Sequence, residues 1–200
     1  MTGYQIAAFA GSSRAGSYNQ ALLRAARSLA PRDVELHTLT LDRLPFYNAD
    51  VEAAGDPPVV AEFKAAIWKA DGVLIATPEY NNGIPGMLTT AIDWASRFPG
   101  RSPLLGKPVA IMGASPSQVG TARAQTHLRQ LLSHVQALTL PPPEVLVAQA
   151  HERFDADLEL TDETTRALLQ GFLERFVRWI DRERRDDGAG MPPPLTSARP

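Results

Sequence analysis

Gly11-Ser12-Ser13-Arg14-Ala15-Gly16-Ser17-Tyr18-Asn19 joins two segments of different periodicity. Before it, Gln5 to Ala10 is a short apolar run, the pattern of a buried strand. After it, Ser17 to Leu29 places Ala21, Leu22, Ala25, Ala26 and Leu29 at helical spacing. A strand that hands over to a helix through such a loop is the opening unit of a parallel α/β sheet. The start of the helix offers free N–H groups and partial positive charge, which suit a phosphate. Gly11 and Gly16 allow tight turns; Ser12, Ser13, Ser17 and Asn19 add neutral donors, and Arg14 a charged one. Two known phosphate loops do not fit. Ser17-Tyr18 stands where the triphosphatase loop needs Lys-Ser/Thr, and Ser13 replaces the second glycine of the dinucleotide pattern. What the loop suits is a phosphate monoester, the alternative being a polar turn whose serines cap the helix.

Outward from this loop the chain alternates short apolar runs with amphipathic ones. Strands are expected at Val34–Leu41, Gly72–Thr77 and Pro108–Met112, with short β segments at Ala137–Leu140 and Val145–Ala148 around Pro141-Pro142-Pro143. Helices are expected at Val59–Ala70, Pro85–Phe98, Thr121–Leu132 and Thr161–Arg185, and a loop at Pro45–Pro58. This order predicts a doubly wound, five-stranded parallel sheet with helices on both faces. Ligands of such sheets bind beyond the carboxyl ends of the strands, so the loops after strands one, three and four are the places to look. The 200 residues make one domain over 1–185, followed by a Gly/Pro-rich tail over 186–200 expected to be disordered.

The loop after strand three, Thr77-Pro78-Glu79-Tyr80-Asn81-Asn82-Gly83-Ile84-Pro85-Gly86, has two prolines to restrict it and an aromatic ring at Tyr80. Asn81, Asn82 and the N–H groups near Gly83 can meet the polar edge of a heteroaromatic ring. Alone, the segment reads as a structural turn with Asn and Gly chosen for positive φ. Beside the first loop, it reads as the ring end of a site whose other end holds the phosphate of one mononucleotide.

Composition narrows the chemistry. With no cysteine there is no disulfide, thiolate nucleophile, iron–sulfur ligation or zinc–thiolate site, so redox chemistry must come from a bound cofactor. A formal charge of −2 does not point to nucleic acid or an anionic membrane as partner. The start of the chain lacks a basic, apolar leader and no run is long enough to span a membrane, which predicts a cytoplasmic protein. His127, His134 and His151 form no zinc pattern and His37 lies in a predicted strand, so no metal site is expected. Asp93-Trp94 reads as core or interface, and Arg123 and Arg129 as nucleotide-phosphate contacts or subunit ion pairs.

The two loops resemble the signatures of the NADPH-dependent FMN reductase family. The first is similar to its phosphate loop, roughly G-S-x-R-x-x-S-x-N. Thr77-Pro78-Glu79-Tyr80-Asn81, with Ile84-Pro85-Gly86 and Ala91-Ile92-Asp93-Trp94, resembles its second signature. Arg123-Ala124-Gln125 and His127-Leu128-Arg129-Gln130 are similar to the helix after strand four in the chromate/quinone reductase branch. The likeness runs from about Gln5 to about Glu183. It implies a flavodoxin-like fold, noncovalent FMN, NADPH or NADH as co-substrate, and a homodimer or homotetramer. By position it assigns phosphate contacts to Ser12, Arg14, Ser17 and Asn19, with Tyr18 beside them, and ring contacts to Pro78, Glu79, Tyr80 and Asn81. Gly113, Ala114 and Ser115 would approach the flavin from the other side. Ala114 stands where close relatives have serine, so only its backbone can be carried over. The implied reaction is ping-pong hydride transfer to quinones, chromate, azo compounds or free flavin, for which no side-chain acid or base is obligatory and no catalytic residue is named. The alternatives are a flavodoxin-type electron carrier, which is usually strongly acidic, and an α/β binding domain without a cofactor.

Overall fold

The computed structural model describes residues 3–97 and 102–187. Its sheet is built from β1 (Tyr4–Ala10), β2 (Val34–Thr38), β3 (Gly72–Ala76), β4 (Pro108–Ala114), β5 (Leu138–Thr139) and β6 (Val145–Val147). Every pairing is parallel and the order is β2-β1-β3-β4-β5, with β6 also paired to β4. This is the flavodoxin-like arrangement. β5 pairs with Pro108 and Val109, β6 with Met112 to Ala114, so the two short strands share the fifth position of the sheet.

The helices are α1 (Tyr18–Leu29), α2 (Ala49–Ala53), α3 (Pro58–Lys69), α4 (Gly86–Ala95), α5 (Ala122–His134) and α6 (Glu163–Asp187). Alternate residues of the strands face opposite cores. Ile6, Ala8, Leu74, Ala110 and Met112 pack with α1 and α6; Ala7, Phe9, Val73, Ile75, Val109 and Ile111 pack with α3, α4 and α5. The continuous apolar runs of β3 and β4 follow from this, since both faces are covered. At the amino edge, Tyr4 O–H donates to Asp181 Oδ1 (2.7 Å) and Arg184 pairs with Asp71, fastening the end of α6 to the sheet. That hydrogen bond to the Asp181 carboxylate, ahead of burial, raises the Tyr4 phenol above its ordinary pKa.

Four expectations are corrected. The segment expected as loop over Pro45–Pro58 contains α2, because the Asn48 side chain accepts from Asp50 N–H (2.8 Å) and Asp50 and Glu52 suit a helix start. β2 stops at Thr38 rather than Leu41, while β4 runs on to Ala114 because β6 supplies its neighbour. α6 continues to Asp187, two residues into the predicted tail; residues 188–200, like Phe98, lie outside those described.

Candidate active site

β1 lies between β2 and β3, so the chain reverses its direction of travel across the sheet at the β1/β3 boundary. There the connections diverge and leave a crevice at the carboxyl edge. A cleft of about 260 Å³ occupies this place. Its walls are Ser12, Arg14, Ser17, Tyr18 and Asn19 from the first loop, Pro78, Glu79 and Tyr80 from the loop after β3, and Ala114, Ser115 and Pro116 from the turn after β4. Segments a hundred residues apart thus meet where the strand order predicts a ligand. All the expected contact residues line the cleft except Asn81 and Gly113, and Pro116 is an addition.

The first loop is held by its own bonds. Ser17 caps α1, accepting from Gln20 N–H at 3.3 Å, and its N–H donates to Arg14 O at 3.0 Å. Gln20 Nε2 donates to Ser12 O at 2.9 Å. Gly16 leaves room for Arg14: a Cβ there would meet Arg14 Nη1 at 3.2 Å. Among the described residues the Arg14 side chain has no hydrogen bond or ion pair, yet it lines the cleft beside the start of a twelve-residue helix. An uncommitted guanidinium next to unpaired helix N–H groups is an anion-binding arrangement.

The second loop owes its shape to a tight turn. Tyr80 and Gly83 exchange backbone hydrogen bonds, both 3.0 Å, around Asn81 (φ 51) and Asn82 (φ 63). Two positive φ values at the central positions make this a type I′ turn, for which Asn is among the favoured residues. Positive φ therefore falls on the two asparagines and not on Gly83. The turn pushes Tyr80 out, 51% exposed, with its O–H 3.4 Å from Ser12 Oγ across the cleft.

Glu79 is occupied elsewhere. Its carboxylate accepts from the N–H groups of Arg123 (2.9 Å) and Ala124 (3.1 Å) and from Arg123 Nη1 (3.0 Å), with its side chain only 8% exposed. It thereby caps α5, whose N-cap residue Thr121 makes no side-chain capping bond. Arg123 Nη1 also reaches Asn82 Oδ1 (3.0 Å), tying the turn to the same helix. Arg123 is therefore committed within the chain, as is Arg129, which bonds Glu144 Oε1 (3.1 Å) and Leu140 O (2.9 Å). Trp94 is core, donating to Pro45 O at 2.8 Å.

The β4 end is tightly packed. A Cβ on Gly113 would lie 2.5 Å from Thr77 O and 2.1 Å from Thr121 Oγ1, so Gly113 faces the protein rather than the cleft. Ala114 bonds through N–H and C=O to the Asn19 side chain, and Ser115 N–H donates to Val147 O (3.0 Å). One residue that sequence reasoning did not single out is Gln125, fully buried behind this turn. It donates to Val145 O and Thr121 Oγ1, while its Oε1 is the one buried side-chain polar atom without a partner among the described residues.

This donor set fits FMN. A free guanidinium, serine hydroxyls and the start of α1 suit a dianionic phosphate, and the half-exposed Tyr80 ring with adjacent backbone suits a flat heteroaromatic system.

The comparisons with known proteins agree. The sequence model described as NADPH-dependent FMN reductase matches residues 4–152. An NAD(P)H-dependent FMN reductase of Pseudomonas aeruginosa is 44% identical over 180 residues, 90% of this chain and 97% of that protein. A 2-hydroxy-1,4-benzoquinone reductase of a Burkholderia species is 41% identical over 181 residues, 90% of this chain and 98% of that protein. Among solved structures, the flavoenzyme NAD(P)H:(acceptor) oxidoreductase FerB of Paracoccus denitrificans superposes with a TM-score of 0.83 at 41% identity, covering 90% of this chain and 98% of that one.

Proposed function

We propose, since the chain belongs to the NADPH-dependent FMN reductase family and is thus an FMN-dependent NAD(P)H oxidoreductase, that its cleft is the FMN site and that its acceptors are small quinones. The observation that carries the placement is the unpaired Arg14 beside the start of α1, facing Tyr80 across one cleft. Arg14, the Ser12 and Ser17 hydroxyls and the α1 N–H groups would hold the phosphate. Tyr80 and the backbone of Pro78 to Asn81 would flank the ring on one side, and the backbone at Ala114 and Ser115 on the other. Bound there, FMN supplies the two-electron chemistry that joins nicotinamide to acceptor.

The chain's own work is orientation and charge. Arg14 and the helix start neutralise the phosphate. The Glu79 carboxylate is fixed as the cap of α5, so its contribution at the ring is through its backbone, and it is not placed to carry a proton. One open cleft serves nicotinamide and acceptor in turn, which makes the kinetics ping-pong. Quinones are favoured as acceptors because a relative at 41% identity is a benzoquinone reductase and because the exposed Tyr80 offers a flat aromatic surface. No described helix is long and apolar enough to cross a membrane, and the proposal places the enzyme in the cytoplasm, where reduced nicotinamide nucleotides are supplied. The proposal also includes a homodimer or homotetramer, supported by Phe46 and Trp68, large apolar side chains 83% and 61% exposed on the single chain.

Steady-state oxidation of NADPH by the FMN-loaded protein with 1,4-benzoquinone tests this. Turnover by the protein alone, with parallel double-reciprocal lines, is expected. Turnover that appears only with an added protein partner would mark an electron carrier instead.

A further inference from the structure

We propose that Asn19 is a positioning residue that fixes the width of the cleft, and not a ligand of the phosphate; the inference rests on the cleft being the FMN site. Asn19 is the second residue of α1 and is buried. Its amide makes two hydrogen bonds to a single residue 95 positions away. Nδ2 donates to Ala114 O at 2.9 Å, and Oδ1 accepts from Ala114 N–H at 2.9 Å.

The reason lies in the end of the sheet. β1 and β4 are not neighbours, because β3 runs between them. After β3 ends at Ala76, Thr77 N–H still donates to Met112 O at 2.9 Å. The next residue is Pro78, which has no N–H, and the chain turns away into the cleft wall. β4 continues to Ala114, paired on its other edge with β6. In a parallel strand the N–H and C=O of one residue point to the same edge, and at Ala114 that edge is the one β3 has vacated. Buried backbone groups need partners. A carboxamide carries one donor face and one acceptor like a peptide group, so the Asn19 side chain completes the ladder in place of the missing strand. It thereby ties the start of α1, and with it the loop from Ser12 to Ser17, to the turn at Ser115 and Pro116. These are opposite walls of the same cleft.

The two roles give different ligand dependence. A phosphate ligand affects FMN and leaves riboflavin, which lacks the phosphate, untouched. A residue that sets the spacing of the walls affects both alike. The test measures dissociation constants of FMN and riboflavin for the flavin-free full chain by quenching of flavin fluorescence. Arg14→Ala is the phosphate benchmark, and FMN affinity unchanged by it would refute the cleft assignment itself. Leu29→Ala, on the last turn of α1 and packed against the same core, controls for lost stability. Asn19→Leu is expected to weaken both ligands by about tenfold with their ratio kept. Loss for FMN alone, or for neither, overturns the proposal.

Asn19→Asp adds a pH profile. A protonated carboxyl can both accept from Ala114 N–H and donate to Ala114 O, whereas the carboxylate can only accept. Riboflavin binding by this variant should therefore tighten as pH falls, relative to the parent protein. Arg14 and Glu79, the charged groups of the cleft, are common to both proteins and drop out of the difference. An identical profile for the two proteins overturns the proposal. If the variants do not fold, hydrogen exchange at Ala114 in the flavin-free parent decides: protection is expected, and free exchange overturns it.

Discussion

The positions that shape this site are ones where a single atom decides the fit. Gly113 is the sharpest case. A Cβ there would collide with Thr121 Oγ1, which can rotate, and with Thr77 O, which is backbone of the adjacent strand and cannot. Gly113→Ala should therefore cost about 1–3 kcal/mol by overpacking. At roughly 2–4 °C per kcal/mol for a chain of this size, thermal unfolding should fall by roughly 2–12 °C. An unchanged melting curve would contradict the packing described. Gly113 also shows where reading by resemblance stops. The motif places it beside the flavin, but the structure uses its missing side chain to let β3, β4 and α5 close on one another. Arg14 is the opposite case, since a residue kept free of protein partners is legible from its motif alone.

Elements in this protein borrow their ends from one another. α5 starts at Ala122 with no side-chain cap from Thr121, and Glu79, forty-odd residues earlier, supplies it. Glu79→Ala should destabilise the flavin-free protein by about 1–2 kcal/mol, the loss of a helix cap, seen as a melting temperature lower by roughly 2–8 °C. Glu79→Gln keeps an acceptor for the Arg123 and Ala124 N–H groups and should recover most of the loss. Equal stability of the alanine variant and the parent would contradict the capping role. Sequence could not show this bond. Caps are read from neighbours in the chain, and Thr121 is a plausible neighbour. The same holds for Asn19, legible as part of a phosphate motif but joined to Ala114 only once the strands are assembled. By contrast, Gln5–Ala10 and Gly72–Thr77 are legible as strands because burial on both faces leaves mostly apolar residues to write. The end of the edge strand β2 and the helix α2 are less legible, since partial exposure and a five-residue length leave little periodicity to read.

At the scale of the whole molecule, the strand order 2-1-3-4-5 brings the ends of β1, β3 and β4 to one crevice, and everything chemical follows from that convergence. The two loops are legible as a pair because each offers the residue types that one end of a mononucleotide would need. Which of their side chains face the cleft and which hold the walls together depended on contacts between distant segments. A crystal structure of the protein with FMN tests the central claim most directly. The phosphate should lie within hydrogen-bond distance of Arg14 and the Ser12 and Ser17 hydroxyls at the start of α1, with the ring between the Tyr80 turn and Ala114–Ser115. FMN bound anywhere else, or with its phosphate away from Arg14, would contradict the account.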